Sequence, residues 1–104
     1  MPDITTTPQW EALEEQQNRI IELDLRGMFA DDPGRAEKLT FDAAGLRVDL
    51  SKNFVDADAL AALVDVARAA DVEGARTRMC AGEHINNPED RAVLHTALRL
   101  PVSE

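Results

Sequence analysis

The chain has 104 residues, a formal net charge of -9 and an apolar fraction of 44%. That length allows one small domain with a modest core. The acid excess argues against nucleic acid or an anionic membrane as partner, because phosphate contacts need clustered Lys and Arg. No run approaches the ~18 consecutive apolar residues of a membrane span.

The charge is uneven. Residues 1–75 hold 16 acids and 7 bases, whereas residues 76–104 hold 4 of each. Solubility is the simplest use of such acidity. Trp10, Phe29, Phe41 and Phe54 are the only aromatics, so a core here relies on Leu, Val and Ala, and Ala buries little area. Met1-Pro2-Asp3-Ile4 has neither the basic nor the apolar region of a secretion signal. Cys80 is the single cysteine, which excludes an internal disulfide. Both features make a cytoplasmic location the expectation.

Thr7 and Pro8 open the first expected helix, Thr7 as cap and Pro8 in the first turn. It is expected to run to about Leu23. Its apolar positions, Trp10, Leu13, Ile20 and Ile21, are interrupted by Gln17, and a weak face of this kind suits a helix lying across a larger body. Leu25, Met28 and Phe29 predict a further turn or two of helix. Asp32 as cap and Pro33 as first residue predict a short helix reaching about Lys38.

From Leu39 to Leu50 the period changes to two. Leu39, Phe41, Leu46, Val48 and Leu50 alternate with polar residues around Ala43-Ala44-Gly45. This predicts a β-hairpin at about 39–50, with Gly45 at positive φ. A lone hairpin is marginal in water and needs a packing partner. Asp56 or Asp58 then caps the clearest helix, whose face is Leu60, Leu63, Val64 and Ala67. Asp71 restarts a helix through Val72, Ala75, Met79 and Cys80, and Gly82 ends it. Asn87-Pro88-Glu89-Asp90 is expected to open a last helix, with Val93, Leu94, Ala97 and Leu98 as its apolar face and Pro101 as its stop. The fold class is therefore an α-rich α+β arrangement of about five helices and one hairpin.

In that last helix Arg91, His95 and Arg99 would fall on one face at four-residue steps. Arg and His together can hold an anion or handle a proton. No glycine-rich phosphate cradle accompanies them, so pairing with acids, or docking the helix on another part of a protein, is the better reading. Cys80, Glu83, His84 and His95 match no standard zinc spacing, which usually pairs ligands on each side. A Cys80–His84 or Cys80–His95 nucleophilic pair lacks any supporting motif, and Cys80 reads as a buried small hydrophobe. Asp31-Asp32 and Glu89-Asp90 sit at helix starts, where acids are expected in any case. Lys52 reads as a solvated lysine. No self-sufficient active site is visible.

Three separated stretches resemble one family, in order and spacing. They are Phe29-Ala30-Asp31-Asp32-Pro33-Gly34-Arg35; Val48-Asp49-Leu50-Ser51-Lys52-Asn53; and Gly82-Glu83-His84-Ile85-Asn86, followed by Glu89, Arg91-Ala92-Val93-Leu94-His95 and Ala97-Leu98-Arg99. The chain resembles the N-terminal segment of glucose-6-phosphate isomerase (phosphoglucose isomerase), actinobacterial type, over nearly its whole length. Leu50 stands where an aromatic is common, Cys80 follows Met79 where phenylalanine is common, and Pro88 replaces Thr or Ser.

The resemblance implies a dimeric enzyme of two αβα sandwich (sugar-isomerase) domains, working in glycolysis and gluconeogenesis without a cofactor. In such enzymes a His/Lys system opens the sugar ring. A glutamate then moves a proton between C1 and C2 of the sugar phosphate. The family's Gly-Ile-Gly-Gly-Ser and Ser-Lys-Thr loops and its catalytic glutamate, histidine and lysine are expected downstream of residues 1–104. Neither His84 nor His95 takes the histidine's place. The expectation is thus an incomplete N-terminal segment, without catalytic or substrate-binding residues, whose partner is the rest of the same polypeptide. Arg91, His95 and Arg99 are its candidate interdomain contacts. A free-standing acidic interaction module is the alternative.

Overall fold

The computed structural model describes residues 3–93 and 95–102. They form two compact units, one up to Val66 and one from Ala67 onward.

The first unit opens with a single 3-10 turn, Ile4–Thr6, capped by Asp3. Helix α1 (Pro8–Ile20) follows, with Pro8 in its first turn and the Thr7 hydroxyl accepting the Trp10 N–H at 3.3 Å. Thr7 and Pro8 therefore act as expected. The helix stops at Ile20, three residues before the predicted Leu23. The chain turns there, and Asp24 caps the next helix, α2 (Leu25–Asp31), by accepting the Gly27 N–H. Helix α3 (Arg35–Lys38) begins two residues later than predicted. Asp32 spends its carboxylate on the Gly34 N–H (3.2 Å) and on Lys38 Nζ (3.0 Å), and on no backbone N–H of the helix it was expected to cap.

Strands β1 (Thr40–Ala43) and β2 (Leu46–Asp49) pair antiparallel, with Phe41 opposite Val48 and Ala43 opposite Leu46. Ala44 and Gly45 both take positive φ, 51° and 78°. That is the turn whose twist matches a two-residue hairpin. Opposed residues share a face, so Phe41, Ala43, Leu46 and Val48 line one side and Thr40, Asp42, Arg47 and Asp49 the other. Phe41 and Leu46 are largely exposed.

Helix α4 (Ala57–Ala69) starts at Asp56, whose carboxylate accepts the Ala59 N–H at 3.0 Å. The predicted core face is only partly covered: Leu60 and Ala67 are half-buried, whereas Leu63 and Val64 are exposed.

Few apolar side chains are buried among the described residues: Ile20, Met28, Leu39 and Ala59. The centre of the first unit is instead organised by a charge. Arg35 is 3% exposed and its guanidinium donates to three backbone carbonyls: Ser51 O from Nε (2.8 Å), Val55 O from Nη1 (2.6 Å) and Asn53 O from Nη2 (2.7 Å). The Phe29 ring lies 5.5 Å from its centre, within cation–π range. The segment leaving β2 has no ladder partner, so its carbonyls need donors. A planar fork supplies several donors at once, which a lysine cannot do in that geometry.

In the second unit Asp71, in the left-handed region (φ 56°), caps α5 (Val72–Cys80) through the Gly74 N–H at 3.2 Å. A Cβ at position 74 would meet that carboxylate, so a larger residue there would make the Asp71 side chain shift. Gly82 (φ 85°) follows the helix end. These boundaries match the sequence expectation, but Cys80 is exposed rather than buried. It lies at the last turn of α5, with none of its surroundings closing over it.

The largest departure follows. Residues 87–90 form a turn instead of a helix start. Asn86 and Arg91 close it as an isolated antiparallel bridge, N–H to O at 3.1 and 3.2 Å, with Asp90 at φ 51°. Asn, Pro and Asp favour tight turns as strongly as helix starts, and here the turn wins. A 3-10 helix, His95–Arg99, replaces the expected α-helix. Of its expected apolar face, Val93 is half-buried and Ala97 is exposed. Leu94 and the side chain of Leu98 lie outside the described residues.

The Arg35 clamp gives a direct expectation. Arg35→Met leaves three carbonyls without their charged donor and lowers the stability of the first unit by about 2–4 kcal/mol. Arg35→Lys recovers less than about half of that loss. Urea unfolding followed by Trp10 fluorescence, which reports this unit, measures both. An unchanged urea midpoint for Arg35→Met would refute the clamp.

Candidate functional site

The polar groups of the first unit that hold fixed positions converge on one loop, Ser51–Val55. Ser51 is 2% exposed and its N–H donates to Asp49 Oδ1 at 2.8 Å. Hydrogen bonding from Ser51, its side chain before its backbone, holds the Asp49 carboxyl below the usual range. Lys52 and Asn53 are exposed at the loop tip. Lys52 is thus the solvated lysine read from the sequence.

Just past the loop, Asp56 does two jobs. It caps α4 and pairs with Arg19 of α1, Nη1 to Oδ2 and Nη2 to Oδ1 both at 2.8 Å. Arg19 is itself fixed by Gln16 Oε1 at 2.7 Å. The Arg19 hydrogen bond is the main cause lowering the Asp56 pKa; burial opposes it, and the Ala59 N–H and the Arg19 and Arg35 charges add to the lowering. These groups are committed to one another and present no free acid or base to a ligand.

In the second unit the histidine candidates are separated by role. His84 Nδ1 lies 3.0 Å from Asp90 Oδ1, and both side chains are exposed. His95 begins the 3-10 helix, and its carbonyl accepts Arg99 Nη1 at 2.9 Å. Arg91 sits in the bridge with Asn86, outside any helix. The stripe of Arg91, His95 and Arg99 at helical four-residue steps is therefore not formed, because the turn at 87–90 removes the helix that would carry it. All three residues are exposed. Glu89 is fixed by the Asn86 side-chain amide, Nδ2 to Oε2 at 2.9 Å. Among the described residues no three of His, Cys, Asp and Glu come together as a metal site. Cys80, Glu83, His84 and His95 thus do not assemble. No helix among the described residues is long and apolar enough to cross a membrane.

Apolar surface is the other feature of this chain. Ile20, Ile21, Leu23 and Phe54, with Gln17, line an open groove of about 290 Å³ on the first unit. Ile21 is 71% exposed and Phe54 54%. A second, more polar groove runs between Pro8, Ala12 and Gln16 of α1 and Asp58, Ala62 and Asp65 of α4.

Sequence reasoning missed Arg35, the Arg19–Asp56 pair and the apolar groove. Two signals were present. A post-hairpin segment without period has carbonyls to satisfy, and the resemblance marked Arg35 and Ser51-Lys52-Asn53 as separate motifs, which here meet in space.

The Asp56 pair sets a pH dependence. A carboxyl whose folded pKa is depressed adds stability above its unfolded value, about 4, and that stability is lost as pH falls through the folded value. Asp56→Asn keeps a competent cap and removes the charge. The first unit of the unsubstituted chain should therefore lose about 1 kcal/mol more than Asp56→Asn between about pH 5 and about pH 2, a small figure because the pair is partly exposed. Urea midpoints across that range decide it, and parallel pH profiles would contradict it.

Comparison with known proteins accounts for a chain with fixed scaffold groups and no assembled chemistry. A sequence model described as phosphoglucose isomerase matches residues 49–104. The glucose-6-phosphate isomerase of Corynebacterium kroppenstedtii is 52% identical over 104 residues, all of this chain and 19% of that protein. Those of Mycobacterium ulcerans and Mycobacterium tuberculosis are each 54% identical over 101 residues, 97% of this chain and 18% of theirs. The chain spans about a fifth of the length of the curated relatives it matches, at their N-terminal end. On these grounds the chain belongs to the phosphoglucose isomerase family.

Proposed function

We propose that this chain is the N-terminal scaffold segment of a glucose-6-phosphate isomerase, and that it contributes architecture, not reacting groups, to the aldose–ketose isomerisation of a sugar phosphate. The observation that carries this is identity of 52–54% across essentially the whole chain to enzymes of that name, of which it matches under a fifth. The geometry supports the same reading. The guanidinium of Arg35 is used up on its own backbone, Asp56 is tied to Arg19, and His84 meets the exposed Asp90. General acid–base catalysis needs groups converging on one substrate position, and these do not converge. In this reading the domain borders are those of an incomplete segment, with the sugar-isomerase core in the remaining polypeptide. Arg91, His95 and Arg99, exposed in the second unit, serve as contacts to that core. A cytoplasmic, homodimeric enzyme without a cofactor belongs to the same proposal.

The test is a graft. Residues 1–104 replace the matching first fifth of the Corynebacterium kroppenstedtii isomerase, and the chimera is purified from a host lacking glucose-6-phosphate isomerase. A coupled assay with fructose 6-phosphate should show turnover by the chimera, and none by the 104-residue chain alone or by the relative stripped of its first fifth. An inactive, folded chimera would overturn the proposal, as would turnover by the 104-residue chain.

A further inference from the structure

This chain buries too little of itself for the scaffold role to be self-contained. Its accessible surface is 8286 Å². Two separate compact bodies of the units' lengths, with the 11.4 kDa shared in proportion, would expose about 6,900 Å². The excess of at least about 1,400 Å² exceeds the ~800 Å² that each partner buries in an interface of standard size.

Within that excess, one place has the form of a socket. Its lining combines the buried Ile20 with the exposed Ile21, Leu23 and Phe54, together with Gln17. The residues come from two places in the chain. Ile20 and Ile21 lie at the end of α1, and Phe54 lies on the loop whose carbonyls Arg35 holds. The clamp therefore fixes one wall of the groove in position before anything occupies it. Exposed apolar side chains lining a groove are costly to leave in water and mark a binding surface.

Resting on the proposed function, we infer that this groove is the socket into which apolar side chains of the remaining isomerase polypeptide insert, with Ile21 and Phe54 as its anchors. The occupant follows from size. The relatives carry about four fifths of their length outside the stretch matched here, so the polypeptide that must cover the excess surface is far larger than this chain. A second copy of the chain would bring the same net charge of -9 against itself.

The experiment uses the chimera described above and compares it with the isolated chain. Ile21→Asp introduces a charge at a position 71% exposed in the chain, so the isolated variant should keep the helical circular dichroism and urea midpoint of the parent. In the chimera the same substitution buries a charge, and the half-time of thermal inactivation should shorten at least about tenfold, the factor expected for losing one buried aliphatic contact. Ile21→Val should behave as the parent in both. Equal effects of Ile21→Asp in the isolated chain and the chimera would show that Ile21 serves the chain's own fold, and no effect in either would show a groove that stays in water; both overturn the inference. Concentration-dependent dimers of the isolated chain in sedimentation velocity, lost in Ile21→Asp, would assign the groove to a second copy and also overturn it. An active parent chimera with an indifferent Ile21→Asp variant leaves the proposed function standing and removes only the socket. An inactive parent chimera removes both.

Discussion

The buried guanidinium of Arg35 is the constraint on which the first unit depends. Four apolar side chains buried among the described residues cannot by themselves organise four helices, a hairpin and a long exit loop. Arg35 does so by reaching from the first turn of α3 to three carbonyls across Ser51–Val55. Removing a full charge from water is expensive, and three charge-assisted hydrogen bonds and the Phe29 ring offset that cost. Asp56, just beyond the clamped loop, feels the same charge and in turn ties α1 to the start of α4 through Arg19. One side chain thereby sets the path of the chain from the hairpin to α4.

Much of the local structure was legible in the sequence because its causes are local. Thr7 and Pro8 start α1, Asp71 starts α5, and Gly45 allows the two-residue turn of the hairpin. Each needs only a cap, a fixed φ or a missing Cβ. The misreadings came where two local signals competed. Asn87-Pro88-Glu89-Asp90 carries both helix-start and turn chemistry, and the bridge between Asn86 and Arg91 settles it as a turn. That outcome dissolves the helical stripe of Arg91, His95 and Arg99. Cys80 was read as buried from its place on an apolar face, yet the face around it is open. The long-range features, Arg35 with its loop and Arg19 with Asp56, could not be read from spacing. They join residues 16 to 37 positions apart, and only the family resemblance marked two of the segments involved.

The exposed apolar groups and the fixed polar ones fit a single account. Side chains that would do chemistry are absent from any common centre among the described residues, while Arg35, which holds three carbonyls, is buried and fully engaged. The hairpin shows one apolar face, α4 shows Leu63 and Val64, and the end of α1 shows Ile21. A sequence that spends its charge on positioning loops and leaves its apolar faces open is built to be covered. Membership of the phosphoglucose isomerase family, at about a fifth of the relatives' length, supplies the body that would cover it.

A pre-formed clamp presents an uncovered groove to a larger partner. Amide hydrogen exchange reads both halves together, in the isolated chain and in the chimera with the Corynebacterium relative. The Ser51, Asn53 and Val55 amides, which donate to Asp49 Oδ1, Leu50 O and Asn53 O, should exchange slowly in both, while residues 21–23 exchange faster in the isolated chain than in the chimera. Fast exchange of those three loop amides in the isolated chain, or unchanged exchange of residues 21–23 between the two, would contradict it.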